Sequence, residues 1–241
     1  MQIAAIQKLT LLDFPTKTAC TVFTLGCNFR CGYCHNPELV LPEKFPSEMM
    51  LEDDLFAFLA KRKGMLDGVC VTGGEPTLQK DLPEFLKQIR KRGFLVKLDT
   101  NGSRPDVLEK LFKARLLDYV ALDVKSSPEG YEKLVGLNQP SPRLRQASIS
   151  EKVQSSKNLI VQSGVPYEFR TTLVREIHDE KEFAQILEFV RGAEKYFLQN
   201  FVGKQGCLDS AFEKMHGFTN SELKKMCEEA KEFVRECGVR N

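Results

Sequence analysis

Short apolar, β-branched segments alternate with longer amphipathic stretches along the chain, which predicts alternating strands and helices. The predicted strands cover residues 19–25, 68–72, 94–100, 119–124, 167–174 and 196–202. Between them, apolar residues recur at helical spacing, for example at Leu82, Phe85, Leu86 and Ile89. Near the end of the chain, Thr219 and Glu222 form a capping-box pattern that predicts the start of a last helix.

Six strands that are each followed by a helix predict an α/β fold with a parallel sheet and right-handed crossovers. Six units are too few to close the usual eight-stranded barrel, so an open, TIM-like (β/α)6 partial barrel is the first prediction. A flat, doubly wound sheet is the alternative. We expect one domain over residues 1–241, with a core at 17–203 and a helical extension at 204–241. The polar, proline-containing segment 138–146 is the candidate for a mobile loop.

Glycine and polar residues gather directly after the first four predicted strands, at residues 26–28, 73–77, 101–103 and 125–127. In parallel α/β folds the loops at the carboxyl ends of the strands form the active site. We therefore expect the functional side chains of this protein to lie in these loops or at their edges.

The composition is ordinary for a globular chain, with 42% hydrophobic and 28% charged residues among 241. A net charge of +2 gives no reason to expect a nucleic-acid or anionic-membrane partner. No run approaches the roughly 18 apolar residues that span a bilayer, and residues 1–10 lack the apolar core of a secretory signal. These features predict a cytoplasmic protein that does not bind membranes.

Three of the eight cysteines, Cys27, Cys31 and Cys34, fall within eight residues directly after the first predicted strand. Thiolates are the usual ligands of iron–sulfur clusters, and three ligands on a four-iron cluster leave one iron open. The alternative is zinc, which normally takes four ligands. His35 would have to be the fourth ligand, but it directly follows Cys34 and is sterically awkward for the same ion.

The remaining cysteines are scattered along the chain. Cys20 and Cys70 lie in predicted strands, so we expect them to be buried. The wide spacing of Cys207, Cys227 and Cys237 favours inert thiols over a second metal site. His178 and His216 show no ligand spacing, and we expect both at the surface.

The segment from Cys27 to Cys34 resembles the CxxxCxΦC signature of the radical S-adenosylmethionine (SAM) superfamily, with Tyr33 as the aromatic residue. With His35-Asn36-Pro37 it resembles the activating enzymes of glycyl-radical enzymes, and above all those of anaerobic ribonucleoside-triphosphate reductase. The resemblance covers residues 2–202 and includes Leu12-Asp13-Phe14-Pro15. Those proteins usually have glycine after this motif, whereas this chain has Thr16, which predicts a change in the loop. The resemblance implies a radical SAM core with a [4Fe–4S] cluster whose open iron is chelated by SAM.

The resemblance also implies cofactor contacts at the ends of the strands. Gly73-Gly74-Glu75-Pro76 matches the GGEP motif, whose missing side chains let the backbone approach the ammonium group of SAM. Asp99 is expected near the SAM amino group or a bound cation, although the Asn-Gly that follows it also favours an ordinary Asx turn.

Two later strands carry the other implied contacts. Asp123 and Lys125 match the DxK pattern of the activating enzymes and point to one face of their strand, toward the SAM carboxylate and ribose or toward each other. Arg170, if buried, needs an anion, which is either the SAM carboxylate or Glu168. Gln199, together with Asn200, is expected near the adenosine.

The resemblance implies that flavodoxin or ferredoxin reduces the cluster, that SAM is then cleaved, and that the resulting radical takes hydrogen from a glycine of a partner enzyme. Only 38 residues separate Cys34 from Gly73, which leaves no room for the extra clusters of larger activating enzymes. One alternative is a radical SAM enzyme on a small molecule, such as a 7-carboxy-7-deazaguanine synthase-like enzyme. Another is an iron–sulfur or zinc module for structure or electron transfer.

Overall fold

The computed structural model describes residues 1–137, 147–203 and 205–240, whose strands form one sheet of eight. Each strand pairs with the next along the chain, in the order β1 (Ile3–Thr10), β2 (Ala19–Thr24), β3 (Gly68–Gly73), β4 (Leu95–Thr100), β5 (Tyr119–Asp123), β6 (Tyr167–Leu173), β7 (Lys195–Asn200) and β8 (Glu236–Arg240). All pairs from β2 to β8 are parallel, whereas β1 runs antiparallel to β2. The segment predicted to be mobile, 138–146, lies outside the described residues.

Helices connect the parallel strands. They are α1 (Pro37–Val40), α2 (Glu52–Lys61), α3 (Leu82–Lys91), α4 (Pro105–Lys113), α5 (Tyr131–Leu134), α6 (Ile149–Gln162), α7 (Glu180–Val190) and α8 (Asn220–Ala230), with 3₁₀ turns at Pro42–Lys44, Pro76–Leu78 and Ser210–Lys214. The apolar stripe predicted for α3 is buried along its whole length, and the capping box of α8 is formed. The (β/α)6 prediction is therefore confirmed for β2 to β7. No helix in the described part of the chain is long and apolar enough to cross a membrane.

The two outer strands, β1 and β8, were not predicted. The sequence of β8 contains a glycine and two charged residues, and it lies in the segment expected to be a helical extension. It becomes a strand because its backbone pairs with β7 in parallel register. Edge strands of this kind take their conformation from a neighbour rather than from their own side chains.

The inner face of the curved sheet is polar, whereas its outer face packs against the helices. In neighbouring strands, Thr21, Cys70, Lys97 and Tyr119 lie side by side. Asp99 follows two residues after Lys97 and therefore lies on the same face. At the amino-terminal ends of the strands, Tyr119 packs with Phe14 and Ala19 in a small apolar cluster that closes the bottom of the barrel.

The loop after β1 contains Thr16, where the chain departs from the family pattern. This residue is exposed and has a φ of 63°, in the left-handed region that glycine adopts without strain. Threonine here holds a backbone conformation that glycine favours, and strain results because its side chain is β-branched. The change of loop conformation relative to the family stays a prediction.

Candidate active site

Eleven of the residues predicted to hold the cluster or SAM line a single cavity of about 280 Å³, whereas Asn200 does not. The cavity lies at the carboxyl ends of β2 to β7, because each of these strands or its following loop contributes to the wall. The predicted residues are Cys27, Cys31, Cys34, Gly73, Gly74, Glu75, Asp99, Asp123, Lys125, Arg170 and Gln199. The structure therefore brings the set together, while the role of each member remains a prediction.

The cysteine loop is folded around one of its own side chains. The guanidinium of Arg30 donates to the carbonyl oxygens of Cys27 at 2.7 Å and Phe29 at 2.8 Å. The N–H of Cys34 donates to the carbonyl of Cys31 at 3.0 Å, which closes a tight turn. These bonds hold the three free thiols on the wall of the cavity.

The donor chemistry of this loop fits an iron–sulfur cluster. Burial raises the pKa of the Cys27 thiol to about 12 and that of Cys31 to about 11. Thiolates here consequently require the positive charge of bound iron, which deprotonates a coordinating thiol. Among the described residues no three His, Cys, Asp or Glu side chains, these three cysteines included, are grouped so as to hold a single metal ion. The fit to a cluster therefore rests on the identity of the three donors and on their shared place on the cavity wall.

The two glycines of the GGEP loop are required by close backbone packing. A Cβ on Gly74 would lie 2.1 Å from the carbonyl oxygen of Gly26, at the start of the cysteine loop. Gly73 has a φ of 124°, and a Cβ there would lie 2.2 Å from the backbone nitrogen of Thr24. The missing side chains thus let the β3 loop touch the cysteine loop, a reason that differs from the ligand approach inferred from sequence.

The carboxylate of Glu75 is buried and forms hydrogen bonds within the protein. It accepts hydrogen bonds from the N–H of Thr77 at 3.0 Å, the hydroxyl of Thr100 at 2.8 Å and the N–H of Asn101 at 2.7 Å. Burial raises its pKa, although these donors favour the charged form. Glu75 therefore joins the β3 loop to the β4 loop, and its predicted contact with SAM remains untested.

The loop after β4 contains the Asx turn that the sequence favoured. The N–H of Ser103 donates to the side-chain oxygen of Asn101 at 2.9 Å. The Asn101 amide also donates to Asn28 at 3.1 Å and lies 3.9 Å from the sulfur of Cys27. The roles of Asn28 and Asn101 could not be predicted from local sequence, because their contacts join segments far apart in the chain.

Arg170 is buried between two aspartates, with Glu168 as a more distant ionic partner. Its guanidinium lies 3.0 Å from Asp99 and 2.8 Å from Asp123, whereas the nearest Glu168 oxygen is 3.9 Å away. Burial opposes ionisation of both aspartates, but Arg170 outweighs it and lowers the pKa of Asp123 to about 2. The pKa of Asp99 is also lowered, with Lys97 contributing alongside Arg170. Glu168, which was weighed as the alternative to the SAM carboxylate, is therefore a third and more distant ionic partner of Arg170.

Lys125 forms a further ion pair with Asp123 and lies at the cavity wall. Its ammonium lies 3.4 Å from Asp123, which confirms that the two side chains share one face. Burial lowers the pKa of Lys125, but Tyr33, Asp123 and Cys31 raise it above its ordinary value. The ammonium group therefore stays charged at the cavity wall, beside the predicted cluster ligands, where it can meet an anionic group.

Gln199 and Asn200, the two residues predicted near the adenosine, lie in different surroundings. Gln199 lines the cavity, whereas Asn200 accepts from the N–H of Phe218 at 2.8 Å and donates to its carbonyl at 2.9 Å. Asn200 therefore holds the segment before α8. The hydroxyl of Tyr33 is buried at the cavity wall and has no hydrogen-bond partner among the described residues.

The histidine prediction is half wrong. His216 is exposed as expected, but His178 is only 1% exposed and is held by backbone groups of Val174 and Lys125. Cys20 and Cys70 are buried as predicted.

The arrangement defines a class of enzyme: an open (β/α)6 barrel whose cysteine loop shares one cavity with charged groups from four other strands. Residues 21–190 match the Radical SAM superfamily model. The chain therefore belongs to the radical SAM superfamily. Enzymes of this superfamily use a [4Fe–4S] cluster and SAM, so the interpretations as a zinc site or as a purely structural module are wrong.

Individual relatives agree with this assignment. Over 241 residues the chain is 32% identical to a Methanocaldococcus jannaschii protein provisionally named as a glycyl-radical enzyme activating enzyme, covering 99% of this chain and 95% of that protein. It is 26% identical over 200 residues to the pyruvate formate-lyase-activating enzyme of Clostridium pasteurianum, covering 80% and 79%. Streptococcus suis SuiB bound to S-adenosylmethionine has a similar fold, with a TM-score of 0.66 and 14% identity over 90% of this chain and 48% of SuiB.

Proposed function

We propose that this chain is an activating enzyme that removes a hydrogen atom from a glycine of a glycyl-radical enzyme. The observation that carries the proposal is the end-to-end similarity, at 32% identity, to the provisionally named activating enzyme of Methanocaldococcus jannaschii. When bound, the reduced cluster and SAM supply a 5′-deoxyadenosyl radical, which is the species that removes the hydrogen atom.

The residues of the chain bind and orient in this proposal. Cys27, Cys31 and Cys34 hold the cluster through three thiolates, which leaves one iron for SAM. Lys125 presents a positive charge to the SAM carboxylate. Arg170 is neutralised by two aspartates, so it serves mainly to fix the carboxylates of the cavity wall.

We further propose anaerobic ribonucleoside-triphosphate reductase as the partner, with flavodoxin or ferredoxin as the electron donor. This proposal is supported by Leu12-Asp13-Phe14-Pro15 and by His35-Asn36-Pro37, which resemble the activating proteins of that reductase. Phe14 packs at the bottom of the barrel against Tyr119, at the end remote from the cavity. The first motif therefore supports a family relationship rather than a contact with the partner.

The test is electron paramagnetic resonance on cluster-loaded protein incubated anaerobically with SAM, a low-potential reductant and the reductase. We expect a glycyl-radical doublet with the wild-type chain and none with Cys34→Ser. A doublet on pyruvate formate-lyase but not on the reductase would keep the activating function and refute the partner. SAM cleavage without a doublet on either protein, together with turnover of a small molecule in the absence of any partner, would refute the activating function.

A further inference from the structure

The backbone of Lys125 is held on both sides by buried side chains. Its N–H donates to the hydroxyl of Tyr131 at 3.3 Å, and the same hydroxyl lies 3.3 Å from the carbonyl of Asp123. The carbonyl of Lys125 lies 3.1 Å from Nε2 of His178. The position of the Lys125 backbone, from which its ammonium reaches the cavity, is therefore set by residues outside the cavity wall.

The hydrogen bonds of His178 fix which ring nitrogen carries the proton. The N–H of Val174 donates to Nδ1 at 2.9 Å, so Nδ1 is an acceptor. In the neutral ring the proton is then on Nε2, which donates it to the carbonyl of Lys125. His178 thereby connects the end of β6 to the loop after β5.

Glu182, one helical turn after His178, accepts hydrogen bonds from the two residues that follow Lys125. Its carboxylate accepts from the hydroxyl and the N–H of Ser127, at 2.8 and 2.6 Å, and from the hydroxyl of Ser126 at 2.6 Å. Both serines are buried. The N–H of Glu182 is itself capped by Asp179 at 2.8 Å, so the carboxylate projects from an ordered helix start.

We infer that His178 and Glu182 are positioning residues for SAM binding, acting through the loop of residues 125–127 that carries Lys125. A lysine side chain has four rotatable bonds, so its ammonium is directed only if its backbone is fixed. Hydrogen bonds from His178, just before α7, and from Glu182, in its first turn, supply that fixation for three consecutive residues. The inference rests on superfamily membership and on the predicted contact of Lys125 with SAM, not on the proposed protein partner.

Two replacements of His178 separate positioning from ordinary stability. In His178→Asn, the side-chain oxygen falls near the place of Nδ1 and keeps the bond from Val174, but the bond to Lys125 is lost. In His178→Gln, the amide nitrogen falls near the place of Nε2 and keeps the bond to Lys125, while the bond from Val174 is lost. A merely structural histidine would make the two variants equivalent in SAM binding.

The experiment measures SAM binding by calorimetry to cluster-loaded, oxidised protein, together with KM and kcat for reductive SAM cleavage without any partner protein. We expect the Kd and KM for SAM to rise about tenfold in His178→Asn and in Glu182→Ala, with full iron content and little change in kcat. His178→Gln should stay within about threefold of wild type. The matched controls are His216→Gln and Glu180→Ala, which alter exposed groups and should leave binding unchanged.

Wild-type affinity in both His178→Asn and Glu182→Ala would overturn the inference, as would equal losses in the two His178 variants. If His178→Asn fails to retain iron, Glu182→Ala decides the matter, because the hydrogen bonds of the Glu182 carboxylate to the described residues are made to Ser126 and Ser127. No glycyl-radical measurement enters this test, so failure of the proposed partner leaves its result intact.

Discussion

Lys97 is a fully buried lysine whose removal should measurably destabilise the barrel. It lies in the middle of β4, is 0% exposed, and forms an ion pair with Asp99. Its ammonium also lies 3.9 Å from the sulfur of Cys70 and 5.9 Å from the ring centre of Tyr119. Asp99 has a second cationic partner, Arg170, at 3.0 Å.

The informative substitution is Lys97→Met, which keeps the length of the side chain and removes its charge. Removing one member of a buried ion pair generally costs about 3–5 kcal/mol, because the remaining charge stays buried without its partner. Arg170 still compensates Asp99 in part, so we expect the lower end, about 3 kcal/mol. For a chain of this size that loss lowers the unfolding midpoint by about 6–12 °C.

The measurement is thermal unfolding of anaerobic, cluster-loaded protein. Lys195→Met is the matched control, because Lys195 is 42% exposed and lies 3.8 Å from Glu236 in an ordinary surface pair. Such a pair contributes at most about 1 kcal/mol. A midpoint for Lys97→Met that equals that of the control would refute the reasoning, since it would mean that the buried pair gives no net stabilisation.

Four further outcomes follow from single contacts. Thr16→Gly should raise the free energy of unfolding by up to about 1 kcal/mol, because glycine adopts the left-handed backbone conformation at this position without strain. Lower stability of the variant in denaturant unfolding would contradict this. Gly74→Ala should cost about 1–3 kcal/mol through overpacking and reduce iron content, whereas full iron loading would show that the loops can separate. Cys34→Ser should abolish the visible absorbance of the reconstituted cluster, while Cys237→Ser should retain it. Burial lowers the pKa of His178 from 6.5, so its stabilising contribution is complete above pH 6.5 and is lost as the pH falls below that value. The difference in unfolding midpoint between wild type and His178→Asn should therefore shrink on acidification; a constant difference would exclude that titration.

The parts of the molecule that could be predicted are those encoded by short, local patterns. Strands β2 to β7 carry enough apolar and β-branched residues to identify them, and the cysteine spacing places three thiols in one loop whatever surrounds it. His178 could not be predicted in the same way. It lies in a polar segment before α7, and the partner of its second nitrogen is the carbonyl of Lys125, 53 residues earlier in the chain.

Lys97 shows a second reason why the prediction was incomplete. Its position two residues before Asp99 places both side chains on one face of β4, but local spacing does not reveal whether that face meets water or the inside of a barrel. Only the curvature of the complete sheet encloses that face, and enclosure turns an unremarkable pair into a buried one. The consequence for stability therefore depends on the tertiary structure.

Arg170 is kept at a distance from Glu168 by an edge strand that was not predicted. Glu168 was weighed as its partner because the two residues alternate along β6 and so share a face. In the structure, Arg240 of β8 holds both oxygens of Glu168, at 2.6 and 2.7 Å, and Tyr119 donates to one of them at 3.1 Å. Because Glu168 is bound to Arg240, the guanidinium of Arg170 forms its short ion pairs with Asp99 and Asp123 at the cavity. A strand that lacks a sequence signature of its own thus determines which charges reach the site.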